Sequence, residues 1–144
     1  MQDLENYNVS KTRKGVTMSN KLVLNEEEFD LIKRQITRLY EHKTRGEARE
    51  IRRKDHEYKL LKGVNSRLIQ PGEQMLNRND LRAIEGICKL GLKALNELVV
   101  PGYTERKSKE SDEAAKVRYQ EYIDKALLTK SKYEAIMIKL EALL

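Results

Sequence analysis

Apolar residues recur at helical spacing along much of the chain, and the longest such stretch runs from Ala115 to Leu143. Its steps alternate between four and three residues without a Gly or Pro, which is typical of a heptad seam on one face of a long helix. The members predicted to contact a partner helix are Tyr119, Tyr122, Tyr133, Ile136, Leu140 and Leu143. We place this helix at about 111–143, with Ser108 or Ser111 as its N-cap.

The first helical region is predicted from about 26 to 62. Asn25 is a good N-cap, and Glu28 can reach back to the Asn25 backbone N–H. Leu24 and Phe29 have the spacing of a hydrophobic staple around this cap.

Two glycines punctuate the first region. Gly46 either ends a first helix near Thr44 or lies inside a longer, solvated helix. Gly63 follows Lys62 and precedes Val64, a pattern that predicts a C-cap and therefore the end of the helix.

A connection is expected over 64–79, with a turn at 70–72 and Asn77 or Asn79 as the next N-cap. A central helix then covers 80–99, because apolar residues again recur there at steps of three and four. Pro101 and Gly102 are predicted to end it, and the polar stretch 103–111 is predicted to be a linker.

These patterns predict an all-α protein in which three main helical regions form an elongated antiparallel bundle or coiled coil. Residues 1–21 are interpreted as a flexible basic tail and residues 22–144 as a single helical domain. The composition agrees, since 39 % hydrophobic and 36 % charged residues suit elongated helices with a large surface.

The net charge of +6 is unevenly distributed. Between Lys33 and Arg67 there are twelve Lys or Arg against five Asp or Glu, whereas the rest of the chain is nearly neutral. An acidic protein or a nucleic acid is therefore the partner that this segment favours, unless the segment is only a solvated helix face. The contact residues predicted for such a partner are Arg38, Lys43, Arg45, Arg49, Arg52, Arg53, Lys54, Lys59 and Lys62.

Motifs for catalysis are weak. His42 and His56 have no second His or Cys at metal-ligand spacing, so no metal site is predicted. The stretch 86–93 lacks the register of a phosphate-binding loop, because Leu92 separates the Lys from the second Gly. Cys88, the single cysteine, lies on an apolar face and is interpreted as a buried, inert thiol.

We therefore predict a non-enzymatic interaction protein, an assembly, adaptor or inhibitor module that acts through coiled-coil-like surfaces. Its partner would be another protein or a second copy of the chain. The alternative is a nucleic-acid-binding protein that contacts DNA or RNA through the helix face 45–62, and the seam tyrosines could then serve as a stacking platform.

No cofactor, small-molecule substrate or membrane is expected. The sequence has no long apolar run and no recognisable secretory signal, and a lone cysteine suits a reducing compartment, so we expect a cytoplasmic protein.

Overall fold

Helices make up most of the protein in a computed structural model that describes residues 21–43 and 59–144, which confirms the all-α class. The helical elements are α1 (Glu26–Lys43), α2 (59–67), α3 (Arg78–Ala94), a π-helical segment (Leu95–Val99), α4 (Val100–Lys109) and α5 (Glu113–Leu143). Two short strands accompany them, β1 (Lys21–Leu24) and β2 (Gly72–Met75). The predicted tail at 1–21 lies outside the described residues except for Lys21, which is the first residue of β1. The predicted break near Gly46 also lies outside them.

Helix α1 begins as predicted, with a reciprocal capping box. The Glu28 backbone N–H donates to Asn25 Oδ1 at 2.8 Å, and the Asn25 N–H donates to Glu28 Oε1 at 2.9 Å. Leu24 and Phe29 are both buried beside this cap. The buried Glu28 carboxylate also accepts a hydrogen bond from Lys139 Nζ at 2.6 Å, so the last turns of α5 are held against the start of α1.

Helix α2 corrects the predicted C-cap at Gly63, since the helix continues through residue 67. Val64 and Leu68 extend the apolar spacing into the core, and their burial outweighs a helix-interior Gly that costs about 1 kcal/mol. The Arg67 side chain lies across Gly63 and donates two hydrogen bonds, of 2.7 and 2.6 Å, to the buried carboxylate of Asp80. This ion pair joins α2 to the first turn of α3.

A two-stranded antiparallel sheet, which the sequence did not predict, pairs β1 with β2. Its register places Lys21 opposite Met75 and Leu24 opposite Gly72. Leu22 and Leu24 point into the core from β1. The predicted turn at 70–72 is confirmed, because Gly72 has a φ of 112°, in the left-handed region that favours glycine.

The central helix starts as predicted but does not end at Pro101. Asn77 is the N-cap of α3 and accepts from the Asp80 N–H at 2.8 Å. Past Ala94 the helix widens into one π-helical turn, in which the Val100 N–H bonds to the Leu95 carbonyl five residues back. Pro101 lacks an N–H and follows directly on this π-helical turn, and the helix nevertheless continues to Lys109 as α4.

Helices α4 and α5 form an antiparallel hairpin, so the predicted linker over 103–111 is largely helical. Asp112 is the N-cap of α5, in place of the predicted Ser108 or Ser111, and accepts from the Ala115 N–H at 3.1 Å. Lys107 contacts Gln120, and Tyr103 contacts Tyr122. Residues of α4 that lie farther from the turn therefore contact residues of α5 that lie farther from it, as in an antiparallel pair.

The core lies where the sheet and helices α1, α2, α3 and α5 meet. Cys88 is completely buried there, and burial raises the pKa of its thiol from 9.0 to about 12, with further contributions from Glu28 and Glu85. The thiol therefore remains protonated throughout the physiological range.

We expect Cys88 to resist thiol reagents in the folded protein. At pH 8 an ordinary thiol is ionised about a thousandfold more often than one with a pKa near 12, and the fold also blocks access to the sulfur. Mass spectrometry after iodoacetamide treatment should show alkylation only in urea-unfolded protein. Rapid alkylation of the native protein, at the rate of free glutathione, would contradict the packing described above.

Candidate functional site

A cleft of about 440 Å³ opens between α1, α5 and the continuous helix formed by α3, the π-helical segment and α4. Its volume lies in the range of small-molecule and cofactor sites. Helix α1 contributes side chains from Leu31 to Leu39, and α5 contributes side chains from Tyr122 to Tyr133. We call this site the cationic cleft.

Three positively charged side chains border the cationic cleft. Arg34 and Arg38 lie on successive turns of α1, and Lys125 faces them from α5. None of the cleft-lining residues is acidic. Among the side chains that the structure describes, those of residues 21–39 and 59–144, none is an ion-pair partner of these three cations. The lining of the cleft therefore combines three positive charges with no carboxylate.

Tyr133 forms the buried end of the cleft. Its ring packs directly against Gly91, where a Cβ atom would overlap ring atoms. Burial raises the pKa of the Tyr133 hydroxyl, and the positive charges of Arg38 and Arg34 partly oppose this effect. The hydroxyl is therefore a neutral hydrogen-bonding group at the floor of a cationic site.

Tyrosines also line the mouth of the cleft. The ring of Tyr103 lies 5.1 Å from that of Tyr122 and 6.2 Å from that of Tyr119, measured between centroids. Tyr122 remains 42 % exposed, although it lies beside Tyr103. Part of the Tyr122 side chain is thus accessible to solvent at the cleft that the positive charges border.

A second cavity of about 200 Å³ adjoins the cationic cleft and shares Val99 and Tyr103 with it. Leu98 and Gly102 form part of its wall. The Arg106 guanidinium, which also lines it, lies 5.6 Å from the centre of the Tyr103 ring, within cation–π distance. Tyr103 therefore lines both cavities, and the lining of each includes an arginine.

Only some of the basic residues predicted for partner contact belong to the part of the chain that the structure describes. Arg38 lines the cationic cleft, Lys43 ends α1, and Lys59 and Lys62 are exposed on α2. The other predicted contacts, together with His56, lie outside the described residues: Arg45, Arg49, Arg52, Arg53 and Lys54. The proposed helix face over 45–62 therefore stays a prediction.

The predicted seam of α5 divides into two parts. Tyr133, Ile136 and Leu140 are buried within the chain's own core, where α5 packs on α1, α3 and β1. Tyr119 and Tyr122 instead pack against Tyr103 on α4, and Leu143 is half-buried at the edge of the core. Much of the seam is thus covered by the same chain, and self-association through it stays a prediction.

The buried charged residues serve the fold. Glu28 and Asp80 each receive hydrogen bonds from a helix cap and a cation, as described above. Among the described side chains, those of residues 21–39 and 59–144, no group of acidic, His or Cys residues has the arrangement of a metal site. In the same part of the chain, no helix combines the length and apolar character needed to cross a bilayer.

Sequence reasoning missed Arg34, Lys125, Tyr103 and Arg106. The four-residue spacing of Arg34 and Arg38 on a predicted helix could have indicated the first of them. Tyr103 and Arg106 were assigned to a linker, so their alignment with α5 could not be anticipated.

Comparisons with protein families, with curated proteins and with solved structures find no match to this chain.

Proposed function

We propose that this chain is a non-enzymatic helical interaction protein that binds an anionic partner in the cationic cleft. The observation that supports this proposal is the convergence of Arg34, Arg38 and Lys125, without ion-pair partners among the described residues, on a cleft whose lining includes no carboxylate. Arginine favours anionic oxygens because its planar guanidinium can donate two parallel hydrogen bonds.

An assembly, adaptor or inhibitor role fits such a site, because each acts by occupying a partner's surface. The helical hairpin of α4 and α5 forms one wall of the cleft, and α1 supplies the opposing arginines. Side chains that are held in place by helices lose less conformational entropy on binding than those of an unfolded segment.

Elution from a heparin column, a general polyanion, tests the proposal. The triple variant Arg34→Glu/Arg38→Glu/Lys125→Glu should elute at clearly lower salt than the wild type. The control Arg82→Glu/Lys89→Glu/Lys93→Glu changes the net charge equally on exposed positions of α3 outside the cleft. We expect the control variant to elute only slightly earlier than the wild type, because it has the same change in net charge but keeps the cleft intact. Equal elution of the two variants would refute the cleft as the binding site.

A further inference from the structure

We infer that the anionic partner is a single-stranded nucleic acid, and that two of its consecutive bases occupy the cationic cleft and the adjoining cavity on either side of Tyr103. This inference rests on the proposed function, since it identifies the partner of the same site. The observation that supports it is that aromatic and cationic side chains alternate across the two cavities.

The aromatic groups favour nucleic acid over an acidic protein. Carboxylates of an acidic peptide would need only the arginines and lysine, whereas unpaired bases stack on exposed aromatic rings. Tyr122 offers a partly exposed ring beside Tyr103, within the cavity that Arg34 and Arg38 border. Base and phosphate groups can therefore be held at the same site.

The concave shape favours a single strand over a duplex. Duplex DNA is read by elements that project into a groove, and its bases are stacked and paired. The cleft instead accepts a group the size of one nucleotide, and such a base must be unstacked first. In this proposal a second base lies beside Arg106, because the smaller cavity shares Tyr103 with the cationic cleft.

The positions of the cations fit the backbone of such a strand. Arg34 and Arg38 lie one turn apart along α1, with side chains separated by about 5–6 Å at Cβ, so each can reach a different phosphate. Lys125 closes the opposite side from α5. Phosphate contacts of this kind make binding depend strongly on salt concentration.

The test measures fluorescence anisotropy of labelled ten-nucleotide single strands, oligo(dT) and oligo(U), at several salt concentrations. Duplex DNA of equal length and a poly-glutamate peptide are measured beside them. We expect both single strands to bind at least tenfold more tightly than the duplex and the peptide. The oligo(dT) and oligo(U) arms show whether the site prefers DNA or RNA.

Two sets of variants locate the contacts. Tyr122→Leu, on a partly exposed position, should weaken single-strand binding roughly tenfold, whereas Tyr122→Phe should retain it. Arg34→Gln/Arg38→Gln should reduce the slope of log affinity against log salt by about 1.4, the value for two phosphates. Arg82→Gln/Lys89→Gln, away from the cleft, is the control and should change the slope less. Thermal melts verify that each variant is folded.

These experiments distinguish a failure of the nucleic-acid inference from a failure of the proposed function. Binding of heparin through the cleft, without preference for single strands or dependence on Tyr122, would overturn the nucleic-acid inference and leave the proposed function standing. Preferential binding of poly-glutamate would overturn it in favour of an acidic protein. If charge reversal in the cleft affects heparin no more than the control does, both proposals fall.

Discussion

Ile136→Asp is expected to abolish folding. Ile136 is completely buried on α5, inside the cluster that also contains Leu140 and Ile84. The substitution removes about 1.5–3 kcal/mol of apolar burial and places a carboxylate where the apolar cluster offers it no partner. Burying an unpaired charge costs several kcal/mol more, and the sum approaches the whole stability of about 5–15 kcal/mol typical of a domain.

Ile138→Asp is the matched control. It makes the same chemical change two residues further along the same helix, but Ile138 is 67 % exposed. We expect its unfolding free energy to change by no more than about 0.5 kcal/mol. Circular dichroism during urea titration compares the two variants. A cooperative transition for Ile136→Asp at the wild-type midpoint would show that α5 does not pack as described.

Gly91→Ala is expected to destabilise the protein by about 2–3 kcal/mol. A methyl group at Gly91 would overlap the ring of Tyr133, which is itself buried against α3. To relieve the overlap, α5 has to move away from α3 or the ring has to turn into the cationic cleft. Both movements reduce packing in the core, as overpacking generally does.

Gly86→Ala should have the opposite effect on the same helix. Gly86 is exposed in α3, and a Cβ there would meet nothing within 4 Å. Removing the extra backbone freedom of glycine should stabilise the protein by about 0.5–1 kcal/mol. Chemical unfolding of both variants measures whether the unfolding free energy falls for Gly91→Ala and rises for Gly86→Ala. A Gly91→Ala variant as stable as Gly86→Ala would contradict the close approach of α3 and α5.

The features that could be predicted from the sequence are those that depend on neighbouring residues. The cap at Asn25 needs only Glu28, three residues later, and both hydrogen bonds are present. The periodic spacing along α5 likewise places Tyr133, Ile136 and Leu140 on one buried face. The turn at Gly72 follows from the conformational freedom of glycine after Pro71.

The features that the sequence did not reveal depend on distant partners. Residues 72–75, Gly-Glu-Gln-Met, contain no β-branched or aromatic residue, and they form a strand because β1, some fifty residues earlier, lies alongside. The local sequence at Gly63 is typical of a helix end, but the helix continues because Val64 and Leu68 are buried in the core. The residues that line the cationic cleft come from α1, from α5 and from the continuous helix of α3, the π-helical segment and α4, so no single segment of the sequence shows the site.

The π-helical turn at Leu95–Val99 determines what α4 presents to α5. Twelve residues separate Gly91 from Tyr103, which amounts to about three and a third turns of a regular α-helix. Gly91 and Tyr103 nevertheless both face α5, because the wider turn absorbs one additional residue. Deleting a single residue from this turn would restore a regular helix over that stretch, yet inserting one into it would rotate Tyr103 and Arg106 by about 100° away from their present neighbours. The direction in which Tyr103 and Arg106 point relative to α5 thus depends on the number of residues in this turn, and it tolerates amino-acid exchange in Leu95–Val99 more readily than an insertion.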